Sequence, residues 1–244
     1  MSQSAVDAGS ATPPTQDIDD FIYLMSHDVR ASVRALLELP QWIAEDLADA
    51  GVDITGPVAQ SIDLMNRHTA RLDRMLADLL AYSRVGRMQE VSVVDVGAAL
   101  EEVAGTLKIP EGFILTRSVG CDTCRMGEQD ILTLWHALLG NAVKHHDGAS
   151  GHIHAETARE GPMIRLSVID DGPGIPAPLR SKALEAMTTL RPRDEVEGTG
   201  MGLAKVRKMA SHYGGHVLLS AASDDGRGLR VDVCLPLDGA AVAA

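Results

Sequence analysis

From residue 18 onward the apolar residues Ile18, Ile22, Met25, Val29, Leu36, Leu39 and Ile43 recur at steps of four and three, with Ser32 the only interruption. That spacing draws one apolar stripe along a helix. Pro40 lacks an N–H and crowds the turn before it, so the helix should kink or end near Leu39, although Trp42, Ile43 and Leu47 continue the stripe. Gly51, Gly56 and Pro57 mark a turn. Val58, Ile62, Met65, Leu72, Leu76 and Leu79 then repeat the spacing on a second helix, with Thr69 its one polar member. An isolated hairpin covers each stripe on one side only, so two hairpins from two chains are expected to form a four-helix bundle. The other arrangement docks the hairpin on the chain's own second half.

After Arg84–Gly86 the period shortens. Six runs, VSVVDV, FILT, HIHAET, IRLSVID, HVLLSA and LRVDVCL, alternate or run apolar like strands, and helical stretches fall near 97–107, 127–145 and 201–213. The predicted class is α+β. Residues 1–15 are small, polar and proline-bearing, a floppy arm that cannot offset the entropy of ordering. The expected organisation is therefore an arm over 1–15, a helical domain over 16–90, an α/β domain over 91–238 and a tail over 239–244.

Composition narrows the partners. Hydrophobic residues make up 45% and charged residues 23% of the 244, which excludes a wholly disordered chain. Aromatics are 3%, so Leu, Val, Ile, Ala and Met must fill the cores. The net charge of −12 and the lack of a basic stripe disfavour a nucleic-acid partner or an anionic lipid surface. No apolar run approaches the roughly 20 residues of a bilayer span, and no basic-then-apolar leader opens the sequence, so a cytoplasmic protein without membrane insertion is expected. Three cysteines suit a reducing compartment. Cys121 and Cys124 have the spacing of half a zinc site or a redox pair, but two further ligands are lacking, and the segment reads as a loop with two thiols.

Three segments carry chemistry. In Leu138–His145, on a helix, Asn141 can offer an oxygen to a metal ion, and Lys144, nearly a turn later, can reach a phosphate. In Val168–Ile175 a strand ends at Asp170, whose carboxylate can accept from an amino-purine, and runs into the Gly172 and Gly174 turn. In Glu197–Ala204 the glycines Gly198, Gly200 and Gly202 open a helix, so that backbone N–H groups and the helix N-terminus can approach phosphates.

With the box Ser26-His27-Asp28-Val29-Arg30 on the first helix, the chain over roughly 18–236 resembles the two-component sensor histidine kinases. These join a dimerisation and histidine-phosphotransfer hairpin to a GHKL (Bergerat-type) α/β sandwich that binds ATP. The resemblance implies that His27 is the phospho-acceptor and Asp28 its orienting base. It makes Asn141 a magnesium ligand, Lys144 a phosphate contact and Asp170 the adenine carboxylate. Gly172 and Gly174 would form the turn beside that carboxylate; Gly198, Thr199, Gly200, Gly202 and Leu203 would line the phosphate loop, and 176–197 would be a mobile lid. ATP and Mg are the implied cofactors. The implied partners are a second copy of the chain, the receiver domain of a response regulator and a separate sensor protein.

The helical period agrees, since at about 100° per residue His27 falls opposite the stripe marked by Met25 and Val29. His145 could line the nucleotide pocket or the helix surface; His68, His136, His152, His154, His212 and His216 read as ordinary structural histidines. The chain departs from the family at Ala31, where many members place Thr or Asn for phosphatase action, at Ala137, a frequent asparagine, and at Leu184 and Met187, frequent lid phenylalanines. The expected activity is ATP-dependent autophosphorylation followed by transfer to a receiver aspartate. The alternative is a phosphotransfer or scaffold protein with a non-catalytic nucleotide domain. A GHKL ATPase of the chaperone or topoisomerase kind does not account for the hairpin and its His-Asp pair.

Overall fold

The computed structural model describes residues 14–87, 89–120, 123–190, 198–224 and 226–238, with the side chains of 14–19 and of His27 excepted. The arm expected over 1–15, apart from Pro14 and Thr15, and the tail over 239–244 lie outside the described residues. The chain separates into two compact units, Met1–Arg84 and Val85–Ala244; the division falls where the texture of the sequence changes after Arg84, six residues before the boundary expected at 90. Val85 belongs to the core of the second unit.

The first unit is a helical hairpin of α1 (Pro14–Asp49) and α2 (Gly56–Arg84). Pro40 does not stop α1, which continues nine residues beyond it. The missing N–H forgoes one bond to Leu36, a loss that the continuing stripe tolerates. The C-terminus of α1 closes in a Schellman motif: Gly51 takes φ +69°, its N–H donates to Ala48 O at 3.0 Å, and Val52 N–H donates to Leu47 O at 2.9 Å. Thr69 satisfies its hydroxyl inside α2 by donating to Met65 O at 2.8 Å. The Arg84 guanidinium lies over the Tyr23 ring, 5.4 Å from its centroid.

The second unit contains β1 (Ser92–Asp95), α3 (Val96–Thr106), β2 (Phe113–Val119), β3 (Thr123–Met126), α4 (Glu128–Lys144), β4 (Gly151–Glu160) and β5 (Met163–Asp170). The four-residue helix α5 (Arg180–Ala183), α6 (Gly202–His212), β6 (His216–Ala221) and β7 (Leu229–Pro236) follow. Five strands form one sheet in the order β2-β4-β5-β7-β6, parallel between β2 and β4 and antiparallel elsewhere. The period of two turns Ile153, Ala155, Ile164, Leu166 and Val233 toward the helices, where they are buried. Trp135 on α4 is fully buried and donates from Nε1 to Val96 O at 3.1 Å. Burial of each such large side chain contributes about 1.5–3 kcal/mol.

β1 ends one residue before the expected run does, because Asp95 caps α3: its Oδ1 accepts from Ala98 N–H at 2.9 Å. A further correction concerns the thiol loop. Cys124 sits in β3, paired with Val94 of β1, and is buried in the core; Cys121 lies outside the described residues.

Candidate functional site

Asn141 and Lys144 share the last turn of α4, three residues apart and therefore on one face. The acids Glu128 and Asp130 in the first turn of α4, and Lys144 in its last, suit the helix dipole. Two loop glycines come to this pair. A β-carbon built at Gly202 would stand 2.9 Å from Asn141 Nδ2 and 3.0 Å from Oδ1, and one at Gly198 would stand 3.2 Å from Lys144 Nζ. Gly200 between them adopts φ +71°, and the Thr188 carbonyl fills the space where a side chain would go. The ammonium of Lys144, the Asn141 amide and the N-terminus of α6 thus converge on the glycines of the 198–202 loop, where no β-carbon bars approach to the backbone, an arrangement suited to an anion and its counter-ion. Thr199 lies in this loop. Leu203 is half-buried and packs against the core.

Asp170 ends β5. Its Oδ1 accepts from Gly172 N–H at 3.0 Å and from Leu229 N–H at 3.3 Å, the bonds to its carboxyl among the described residues. Burial is the largest influence on this carboxyl and raises its pKa above the ordinary value, the two backbone bonds offsetting only part. The turn after it is stitched to the β6–β7 hairpin: Gly228 N–H donates to Gly172 O at 2.8 Å, and Gly174, at φ +70°, lies where a β-carbon would meet Gly228 O at 2.7 Å. A cavity of about 280 Å³ opens beside this strand end, lined by His152, His154, Ile169, Asp170, Asp171, Ala222, Ser223 and Arg227. Asn141, Lys144 and the glycine loop do not line it.

Beside Asp170 stands a further pair, His146 and Asp171, that no motif marks. Gly148 N–H donates to His146 Nδ1 at 2.9 Å, and Nε2 lies 3.0 Å from Asp171 Oδ1, which also accepts from His152 N–H at 2.8 Å. Burial pulls the Asp171 pKa upward, but the bonds from His152 and His146 outweigh it and hold the carboxyl below its usual range. The neighbouring Asp147 is held low by the Arg227 side chain, with guanidinium contacts of 3.1 and 3.3 Å. A histidine beside Asn-Ala-Val-Lys, with glycines at 148, 151 and 172 to admit a ring, was the available signal.

His27 and Asp28 lie on α1 in the other unit. Asp28 is exposed, and the His27 side chain lies outside the described residues. Of the expected lid, 191–197 lie outside the described residues; the rest holds a single 3-10 turn, α5 and Met187 at φ +60°. Among the described residues no three His, Cys, Asp or Glu side chains gather as a metal-ligand set, and no helix is long and apolar enough to cross a membrane.

Residues 127–239 match the family of histidine kinase-, DNA gyrase B- and HSP90-like ATPases. TcrY, a probable sensor histidine kinase of Mycobacterium tuberculosis, is 30% identical over 241 residues, covering 91% of this chain and 46% of that protein. FilI, the methanogenesis regulatory histidine kinase of Methanothrix harundinacea, is 26% identical over 234 residues, covering 93% of this chain and 26% of FilI. The chain spans 26 to 47% of the length of such curated relatives. Among solved structures, full-length ShkA in complex with AMPPNP superposes with a TM-score of 0.67 at 22% identity, over 91% of this chain and 46% of that one. ThkA in complex with the response regulator TrrA gives 0.62 at 17%, over 92% and 64%. At these identities the two structures bear on the fold alone. Residues 127–239 thus carry the histidine kinase-, DNA gyrase B- and HSP90-like ATPase domain, and over more than nine-tenths of its length the chain is similar to sensor histidine kinases.

Proposed function

We propose that this chain is an ATP-dependent protein histidine kinase that phosphorylates itself on His27 and passes the phosphoryl group to an aspartate of a response-regulator receiver domain. The observation that carries the reading is the closure of Gly202 on the Asn141 amide and of Gly198 on the Lys144 ammonium, in the same unit as the Asp170 strand end. Asp170 would accept from the adenine amino group, Lys144 would meet the phosphates, and Asn141 would hold a magnesium ion. That ion, when bound, neutralises charge on the triphosphate. Asp28 keeps the proton on one imidazole nitrogen of His27 so that the other carries a free electron pair. As the new N–P bond forms, the bond from the γ-phosphorus to the bridging oxygen breaks, and ADP leaves with the electron pair.

A second copy of the chain is the proposed partner of the hairpin. Met25, Val29, Leu36, Leu39 and Ile43 of α1, and Val58, Met65 and Leu72 of α2, remain 38 to 48% exposed although they form the apolar stripe. The match of residues 127–239 to the histidine kinase-like ATPases supports an adenine nucleotide as the donor, and the similarity to the histidine kinases TcrY and FilI supports a histidine as the first acceptor.

The test is incubation with γ-labelled ATP. The label should be acid-labile and alkali-stable, as a phosphoramidate is, and His27→Gln should abolish it while nucleotide binding persists. Label that survives in this variant overturns the acceptor assignment. A chain that neither binds nucleotide nor takes label, yet accepts phosphate from a phospho-receiver, is the phosphotransfer or scaffold protein that Ala137 and the lid residues Leu184 and Met187 would suit.

A further inference from the structure

The His146 side chain is only 4% exposed, although it follows the exposed pair Lys144 and His145. Its ring is set between two glycines. A β-carbon at Gly151 would stand 2.6 Å from Nε2, and one at Gly172 would stand 3.1 Å from Cδ2. The Phe113 ring closes one side, edge to face at 5.1 Å between centroids. Gly172 has an ordinary φ, so the room taken by His146 and by Asp170 Oδ1, 3.0 Å from the same built carbon, explains why glycine stands there.

The hydrogen bonds select one tautomer. Nδ1 receives the Gly148 N–H at 2.9 Å and so carries a lone pair; in the neutral ring the proton is on Nε2, which donates to Asp171 Oδ1 at 3.0 Å. The same oxygen receives His152 N–H at 2.8 Å, fixing the start of β4 against the end of β5. Asp171 is the residue between Asp170 and Gly172, so whatever holds its carboxylate also sets the direction of the turn.

We propose that His146 is a positioning residue of the nucleotide site: its Nε2–H anchors the Asp171 carboxylate and thereby holds the 170–174 turn in the conformation from which Asp170 meets an adenine amino group. This rests on the nucleotide reading of Asp170 above.

Two amides separate the ring's two bonds. In His146→Gln the amide nitrogen reaches the place of Nε2 and still donates to Asp171, leaving the exposed Gly148 N–H to water. In His146→Asn the side chain ends near Nδ1, still able to accept from Gly148, and the bond to Asp171 is gone. Isothermal titration of the full chain with ATP and with AMPPNP should show a loss of about tenfold or more in His146→Asn, the scale of one hydrogen bond to a charged group, and recovery to within about threefold in His146→Gln. Both variants should unfold at similar temperatures, so that fold stability does not explain the difference. Equal affinities for the two variants, whether both near the unmodified chain or both far below it, overturn the role given to Nε2. If the unmodified chain binds neither nucleotide, the reading of Asp170 falls and this proposal with it; if it binds and the variants do not separate, only this proposal falls.

Discussion

Gly202 at the start of α6 lies against the Asn141 carboxamide on α4, and a β-carbon at 202 would stand 2.9 Å from Nδ2 and 3.0 Å from Oδ1. Alanine is intrinsically better than glycine inside a helix by roughly 0.5–1 kcal/mol, so Gly202→Ala should leave the unfolding midpoint little changed or slightly raised. The displaced amide should instead cost about tenfold in affinity for Mg–ATP. Titration calorimetry beside thermal unfolding checks this. A parallel fall in both would mean that Gly202 matters for packing rather than for the amide.

Much of this architecture was legible in the sequence for physical reasons that differ between elements. The stripes on α1 and α2 and the strands β4, β5 and β7 carry long, regular periods, and the glycine loop announces itself by composition. β3 did not: Thr-Cys-Arg-Met is four residues long, and its burial comes from pairing with β1, a long-range event. Pro40 was read by its local chemistry, which the continuing apolar stripe overrides. His146 was missed because its meaning depends on Asp171, twenty-five residues away. The same is true of the ionic lattice on the outer sheet face. There Arg165 and Arg230 reach Glu156 at 2.9 and 2.7 Å, and the Ser167 hydroxyl donates to Asp232 at 2.5 Å; alternation hinted at polar positions, but only register names the partners.

Leu72 and Leu76 both belong to the stripe of α2, yet Leu72 is 38% exposed and Leu76 is 7% exposed. A glutamate at Leu72 should therefore leave the hairpin folded and weaken only the association of two copies, whereas a glutamate at Leu76 buries a charge and should unfold the hairpin. Sedimentation with circular dichroism distinguishes the cases. A dimer unaffected by Leu72→Glu would place the interface elsewhere.

Asp130, buried near the start of α4, gathers three elements: its Oδ2 accepts the Tyr213 hydroxyl at 2.6 Å and Gly86 N–H at 3.1 Å, and that hydroxyl accepts Gly127 N–H at 3.0 Å. Tyr213→Phe leaves the carboxylate and Gly127 each short of a partner and should destabilise the second unit by about 1–3 kcal/mol in urea unfolding. Burial, reinforced by Asp130, also holds the Tyr213 pKa well above the ordinary tyrosine value. In an alkaline spectrophotometric titration, Tyr213 should therefore stay protonated as long as the fold persists, and its absorbance change should arrive with unfolding. Ionisation of all three tyrosines before unfolding would contradict the buried network.

Asp170 and Asp171 are chain neighbours whose carboxyls shift in opposite directions, so acid should act on binding and on stability in different windows. For Asp171 the folded value lies below the unfolded one; its contribution to stability is present above the ordinary carboxylate range, near pH 3.9, and is lost as pH falls through the lower folded value. For Asp170 the folded value lies above the unfolded one. Its ionised form, the one that accepts from an amino group, is therefore lost on acidification before pH reaches the ordinary range, while the fold itself does not suffer from that protonation. Nucleotide affinity should accordingly decline at a higher pH than the unfolding free energy does. In Asp170→Asn the affinity should be lower at neutral pH and flat across the first window; in Asp171→Asn the acid loss of stability should be shallower, with binding already weakened. Binding and unfolding measured from pH 7 downward on the three proteins check the order, and affinity that falls with the same profile in Asp170→Asn as in the unmodified chain would remove Asp170 as the titrating acceptor.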